Sequence, residues 1–287
     1  PLLESGAMGK SVLVTGAGGY IGRHVVTELL ERGLRVKALD LRMDGVDRRA
    51  ERISIDLFSG DPDIYEAMGR PDVVLHMAWR DGFKHNSPAH LDDLAKHYHL
   101  IDNLYAGGLK RLAVMGTMHE VGYWEGAIDE SSRCAPASLY GIAKNALREA
   151  TRLSAAAHDA VFQWIRAYYI VGDDKFGNSI FSKLLAAAEE GRSTFPFTTG
   201  KNKYDFISVD ELATQIAAIV DQDAVTGIIN ACTGRPMTLA ERVEGYIAEN
   251  GLDIALDYGA FPDRPYDSPG VWGDATKIRA ILAADRR

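Results

Sequence analysis

With 287 residues, 46% of them hydrophobic and 25% charged, the chain has room for one large α/β domain, or for a large domain with a small lobe attached. A net charge of −8, an isoelectric point near 5.5 and scattered Lys and Arg argue against a nucleic-acid surface, and no apolar run is long enough to span a bilayer. Cys134 and Cys232 stand far apart with no CxxC spacing, which suggests neither a zinc site nor a disulfide framework, only packing or surface thiols in a reducing compartment.

The opening PLLESGAMGK lacks the basic start, apolar middle and small-residue cleavage site of a signal peptide. Residues 1–8 are expected to be a tag remnant, and the cytoplasm is the expected compartment. Apolar β-type runs then follow at 11–15, 35–40, 52–57, 72–78, 111–117 and 162–172, separated by helical stretches. This alternation predicts a Rossmann-like, doubly wound parallel sheet with helices on both faces. A helix over 21–31 should end at Gly33, and others are expected at about 87–107 and 141–157. After Gly172 the texture changes to a helix through SIFSKLLAAAEEG and short pieces rich in Gly, Pro and Asp. The expected division is a dinucleotide-binding domain over 9–172, with returning elements at about 203–232, and an interleaved small C-terminal substrate-binding lobe over 173–287.

The stretch VTGAGGYIGRHV packs four glycines into positions 16–22, directly between a strand and a helix. Glycine weakens both kinds of element, so its use there implies that something must approach the backbone. Gly16, Gly19 and Gly22 leave helix-terminal amides open to an anion, for which a dinucleotide pyrophosphate is the expected partner. Asp40 closes the second run about 20 residues on, where a carboxylate accepts from ribose hydroxyls and repels a 2′-phosphate. That favours NAD over NADP, with Arg42 able to soften the preference. Asp56 reads either as an adenine contact or as an ordinary turn acid.

Farther along, Tyr140 and Lys144 are four apart at the start of a helix and share a face. A nearby ammonium stabilises a phenolate and fits tyrosine for acid–base work. Thr117 ends the run RLAVMGT at a strand's carboxyl end, where ligands of doubly wound sheets bind, and its hydroxyl can share a substrate oxygen with the tyrosine. His97 and His99 are two apart and do not face each other on a helix, so no metal site is expected.

Taken in order, these motifs resemble those of extended short-chain dehydrogenase/reductases, in the NAD-dependent epimerase/dehydratase family that modifies nucleotide sugars. TGAGGYIG resembles TGxxGxIG, LHMAW resembles HLAA, GLKRLAVMGT resembles GVKRFVYxSS, LYGIAK resembles YxxSK, KYDFISVDELA resembles RDFIHVDDLA, and WGDATKIRAIL resembles the closing xxDxSKxxxxL. The resemblance runs from about Lys10 to Leu282. It implies hydride transfer with Tyr140 as acid or base, Lys144 on the nicotinamide ribose and Thr117 on the reacting oxygen. It also implies NAD contacts from Tyr20, Ile21, Asp56, Leu57, Met77, Ala78 and Trp79 beside the glycines and Asp40, and a homodimer through the helices carrying Leu94, Tyr98, Ile101, Leu147 and Leu153.

Departures narrow the expectation. Where sugar dehydratases of the family carry Asp-Glu after the threonine, this chain has Met118 and His119, so 4,6-dehydratase activity is not expected; Glu120, one position on, is expected to point elsewhere. Tyr169 replaces a substrate-contacting Asn, Tyr204 an Arg and Asp93 another Asn. Thr117, Met118, His119, Tyr140 and Tyr169 are the expected substrate contacts, and Arg166 and Lys183 could meet phosphates. The reading is an NAD-dependent 4-keto reductase or C4 epimerase of a nucleotide sugar. GTMHEVGYW also resembles the SSNHxIGYY of uronate dehydrogenases, which leaves open a free sugar acid as substrate, and a dinucleotide sensor without catalysis is a third alternative.

Overall fold

Strand β1 (Ser11–Thr15) is buried at every residue, as a strand covered on both faces must be. Val12 and Val14 enter one apolar core while Leu13 enters another on the opposite face, the period-two division of a strand. The glycine loop leads from β1 into α1 (Tyr20–Glu31), which ends at Gly33, whose φ of +78° is easy only for glycine. Next come β2 (Arg35–Leu39), β3 (Glu51–Ile53), α2 (Ile64–Ala67), β4 (Val73–His76), α3 (Ala89–Asp92), α4 (Leu94–Ala106), β5 (Arg111–Thr117), β6 (Gly126–Ile128), α5 (Leu139–Ala157), β7 (Val161–Ala167) and β8 (Tyr169–Val171). The remainder contains α6 (Ile180–Glu189), β9 (Thr194–Pro196), β10 (Lys203–Tyr204), β11 (Phe206–Ser208), α7 (Val209–Asp221), β12 (Gly227–Ala231), β13 (Met237–Thr238), α8 (Leu239–Glu249), β14 (Ala255–Asp257), β15 (Gly270–Gly273) and α9 (Thr276–Asp285). This computed structural model describes residues 9–172, 179–264 and 267–285; residues 1–8, read from sequence as a tag remnant, lie outside them.

Seven strands form one parallel sheet in the order β12-β7-β5-β4-β1-β2-β3. Strand order reverses between β1 and β4, and the carboxyl ends of these two strands open the crevice where such sheets bind ligands. Helices α1 and α7 pack together, as do α4 and α5. Among the described residues, no helix is long and apolar enough to cross a membrane.

Several elements differ from the sequence reading. The run at 52–57 pairs only as far as Ile53; Asp56 instead closes a turn, accepting from the Phe58 amide at 3.1 Å. The run at 162–172 breaks at Tyr168, so β7 stays in the main sheet while β8 pairs with β11. The helix expected at 87–107 breaks at Asp93, whose carboxylate takes Arg80 Nε at 2.9 Å and Lys96 Nζ at 2.8 Å.

Lobe and sheet exchange more chain than linear order suggests. Strand β6 joins β15, β10 and β13 in a separate four-stranded sheet, while α7, β12 and also α9 return to the main domain. Asp205, fully buried, fastens this crossing by accepting from the amides of Thr233 at 2.9 Å, Gly234 at 2.8 Å and Gly273 at 3.2 Å. A third core, built on Phe181, Leu184, Phe197, Val243 and Tyr246, belongs to the lobe. Of the five residues expected at a dimer face, Ile101 and Leu147 are buried in the chain's own core, Leu94 and Tyr98 pack against it, and Leu153 is exposed.

Candidate active site

At the end of β1, Gly16 has φ +70°, and a Cβ there would lie 2.7 Å from the Ala78 amide nitrogen. A Cβ on Gly22 would overlap the Gly16 carbonyl, and one on Gly18 would overlap the Arg42 carbonyl. Gly19 caps α1 with no side-chain hydrogen bond, so the first amides of the helix are left to a ligand or to water. Asp40 folds over this cradle: its carboxylate accepts from the Gly18 amide at 2.9 Å and from the Leu41 and Arg42 amides at 2.6 and 3.3 Å. Gly18 was not singled out from sequence, although it lies in the same glycine run.

Across the crevice, Thr15 joins the ends of β1 and β4. Its hydroxyl accepts from the Met77 and Ala78 amides at 3.1 and 3.2 Å, which places the backbone of the LHMAW motif beside the cradle. Ile21 packs against the main core and Leu57 is buried. Tyr20 reaches Gly172, where a Cβ would overlap its hydroxyl.

Ser138 caps α5, accepting from the Gly141 amide at 3.1 Å. The loop before α3 supplies two further partners: Asn86 Oδ1 accepts from the Leu139 amide at 3.3 Å and the His85 carbonyl from the Tyr140 amide at 2.8 Å. Tyr140 is thereby held with its phenol beside the Thr117 side chain, whose hydroxyl favours the phenolate. Burial pushes the phenol up, the charge of Glu120 pushes it further, and the Thr117 hydroxyl works against both. Lys144, one turn on, is 3% exposed and donates to the Met115 carbonyl at 2.6 Å; its ammonium is 6.0 Å from the Tyr140 ring centroid. Burial pushes Lys144 down to about 7, opposed by Glu120.

The structure therefore brings Thr117, Tyr140 and Lys144 together at the carboxyl end of β5. His119 joins them, with its ring 6.2 Å from that of Tyr140 and 4.4 Å from that of His85; His85 itself lies 5.3 Å from Tyr140 at 15°. Burial and then His85 lower His119 to about 4. Met118 is packed into the core at 5% exposure, which leaves its side chain little surface for a substrate. Tyr169 lies in an aromatic group with Tyr204 and Phe206, at 4.5 and 5.9 Å.

Glu120 points inward and is fully buried. Its Oε1 accepts from the Thr117 amide and from Trp164 Nε1, both at 2.8 Å, and its Oε2 meets Arg166 at 3.4 Å and Arg148 at 3.5 Å. Arg166 is wholly buried in this cluster, which corrects the expectation that it could meet a phosphate: no part of it reaches solvent. Lys183 is exposed on α6.

A parallel sheet with an uncapped glycine cradle at its switch point defines a dinucleotide-binding α/β protein. The chain belongs to the NAD dependent epimerase/dehydratase family, whose model matches residues 12–232, and is an NAD-dependent enzyme of the extended short-chain dehydrogenase/reductase type. It is 42% identical over 271 residues to dTDP-6-deoxy-L-talose 4-dehydrogenase (NAD(+)) of Aggregatibacter actinomycetemcomitans, an alignment covering 92% of this chain and 99% of that protein. Its fold is similar to UDP-N-acetylglucosamine 4-epimerase of Methanobrevibacter ruminantium, solved with UDP-N-acetylmuramic acid, at TM-score 0.81 and 21% identity over 95% of this chain and 92% of that one. UDP-glucose 4-epimerase of Thermus thermophilus, solved with NAD, gives TM-score 0.78 at 22% identity over 94% of this chain and 92% of that one.

Proposed function

We propose that the chain is an NAD-dependent 4-dehydrogenase of a dTDP-linked 6-deoxyhexose, working as a 4-keto reductase in the reverse direction. The observation that carries this reading is the Thr117–Tyr140 hydroxyl pair with Lys144 one turn away. The near full-length relative that acts on dTDP-6-deoxy-L-talose supports the substrate class.

The glycine loop fits a pyrophosphate, because Gly19 leaves the first amides of α1 without a side-chain cap, and Asp40 would take the adenosine ribose hydroxyls. A bound NAD would supply the hydride chemistry at the sugar carbon. Thr117 orients the C4 oxygen, and Tyr140 removes its proton during oxidation and restores it during reduction. Lys144, in its charged form, favours the Tyr140 phenolate against burial. His119 and His85, both pushed down by burial, are neutral near pH 7 and suit the hydroxyls of a neutral sugar better than the carboxylate of a uronate.

The purified protein is offered dTDP-6-deoxy-L-talose with NAD, and NADH absorbance is followed beside UDP-glucose and glucuronate controls. NADH formation with the dTDP sugar is the expected result. Silence with it, joined to epimerised UDP-glucose or oxidised glucuronate, overturns the assignment. The same reading places a second copy against the helices that expose Leu91, Ile142 and Leu153; sedimentation as a monomer would remove that part.

A further inference from the structure

A run of hydrogen bonds leads from the glycine loop into α4. Thr15 Oγ1 is 2.7 Å from His76 Nδ1, and His76 Nε2 is 2.8 Å from His97 Nδ1. Two backbone amides already donate to the Thr15 hydroxyl, so its own proton goes to His76 Nδ1, His76 carries hydrogen on Nε2, and His97 Nδ1 accepts. Both rings are 2% exposed. Burial pushes His76 well down and His97 to about 3, so the run is neutral and has one direction.

Its far end is an aromatic face. The His97 ring stacks on the Trp79 ring at 4.4 Å and 20°. On another edge, His90 Nδ1 accepts the indole N–H at 3.0 Å while His90 Nε2 donates to the Lys84 carbonyl at 2.9 Å. The stack fixes the plane of the indole and the hydrogen bond fixes its rotation within that plane. What the indole meets is Lys144, whose ammonium lies 3.8 Å from the Trp79 ring centroid. A buried ammonium has three donors, and the Met115 carbonyl takes one; a π-face is a favourable neighbour for the remaining charge.

We propose that Trp79 is a positioning residue for Lys144: the indole face, held by His97 and His90, keeps the lysine in place as a cation beside Tyr140. This rests on the reading of Lys144 as the lysine of the reaction. It also gives Trp79 a task separate from any contact with NAD, and the aromatic side chain stands where the resembling motif has alanine. The groups that face the ammonium are Glu120 from the turn after β5, His76 from β4, His97 from α4 and Tyr140 on its own helix. Of these, Glu120 favours the charged form, while the two neutral imidazoles add no counter-charge.

The test needs neither NAD nor sugar. Protein carrying 13C-labelled lysine is titrated by NMR, with the Lys144 signal identified by its loss in Lys144→Met. Removing the indole face in Trp79→Leu should lower the Lys144 midpoint by about one pH unit, and Trp79→Phe, which keeps an aromatic face, should lower it by much less. Equal midpoints in Trp79→Leu and the parent, or equal falls in the Leu and Phe variants, overturn the proposal. Trp79→Met replaces Trp79→Leu in the comparison if circular dichroism finds the latter unfolded. Turnover of Lys144→Met tests the catalytic reading independently: full activity there would sink the lysine's role and leave the titration result standing.

Discussion

Tyr140 occupies a place where a phenolate is disfavoured by burial and by the charge of Glu120, with the Thr117 hydroxyl working the other way. A group so placed serves chemistry only if a cation can be brought to bear, and Lys144 is the cation on the same helix face. Tyr140→Phe keeps the ring and its stacking on His85 and removes the proton. Turnover should fall by about 10²- to 10⁴-fold, the usual worth of a positioned acid or base, with NAD affinity changed by less than about threefold in a fluorescence titration. Undiminished turnover would take Tyr140 out of the reaction. The Tyr–Lys spacing was legible in sequence because one helical turn fixes it; the histidine on the Tyr140 ring was not, because His85 arrives from a loop more than fifty residues away.

Secondary-structure elements meet the site through Glu120. This one side chain joins the turn after β5 to β7 through Trp164 and Arg166 and to α5 through Arg148. Gly116 makes room for it, since a Cβ there would overlap Trp164 Nε1 and lie 2.8 Å from Glu120 Oε1. Glu120→Ala leaves two buried guanidinium groups without their shared carboxylate, and such a loss costs about 3 to 5 kcal/mol. Urea denaturation checks this; a loss below about 1 kcal/mol would mean that the arginines find other partners. In sequence Glu120 looks like any acid beside a turn, because its partners come from strands and helices that are distant along the chain.

For the molecule as a whole, buried neutral histidines contribute to the loss of stability in acid. His76, His97 and His119 all have folded-state values below the ordinary 6.5, the last two at about 3 and about 4. The unfolded chain therefore takes up protons that the folded chain refuses as pH falls through about 6.5. Stability present above that pH is lost on the way down, by about 1.4 kcal/mol per pH unit for each histidine. His97→Gln keeps a hydrogen-bonding group and removes one titration. Its loss of stability between about pH 7 and about pH 5 should be smaller than the parent's by about 2 kcal/mol, measured by urea denaturation at each pH. Parallel losses in the two proteins would mean that His97 is protonated in the fold.

Local chemistry wrote the parallel sheet, the glycine cradle, Asp40 and the Thr–Tyr–Lys set into the sequence: apolar runs report burial, glycine reports close approach, and a four-residue spacing reports a shared helix face. Family resemblance added the cofactor and the sugar. Tertiary structure alone decided that β8 leaves the main sheet, that β6 and α9 trade places between lobe and domain, and that Arg166 is a buried partner of Glu120 and not a phosphate ligand. Tertiary structure also assembled Thr15, His76, His97, Trp79 and Lys144 into one contact path. These features depend on pairings between distant segments, whose strength lies in desolvation and geometry that no single stretch of chain contains.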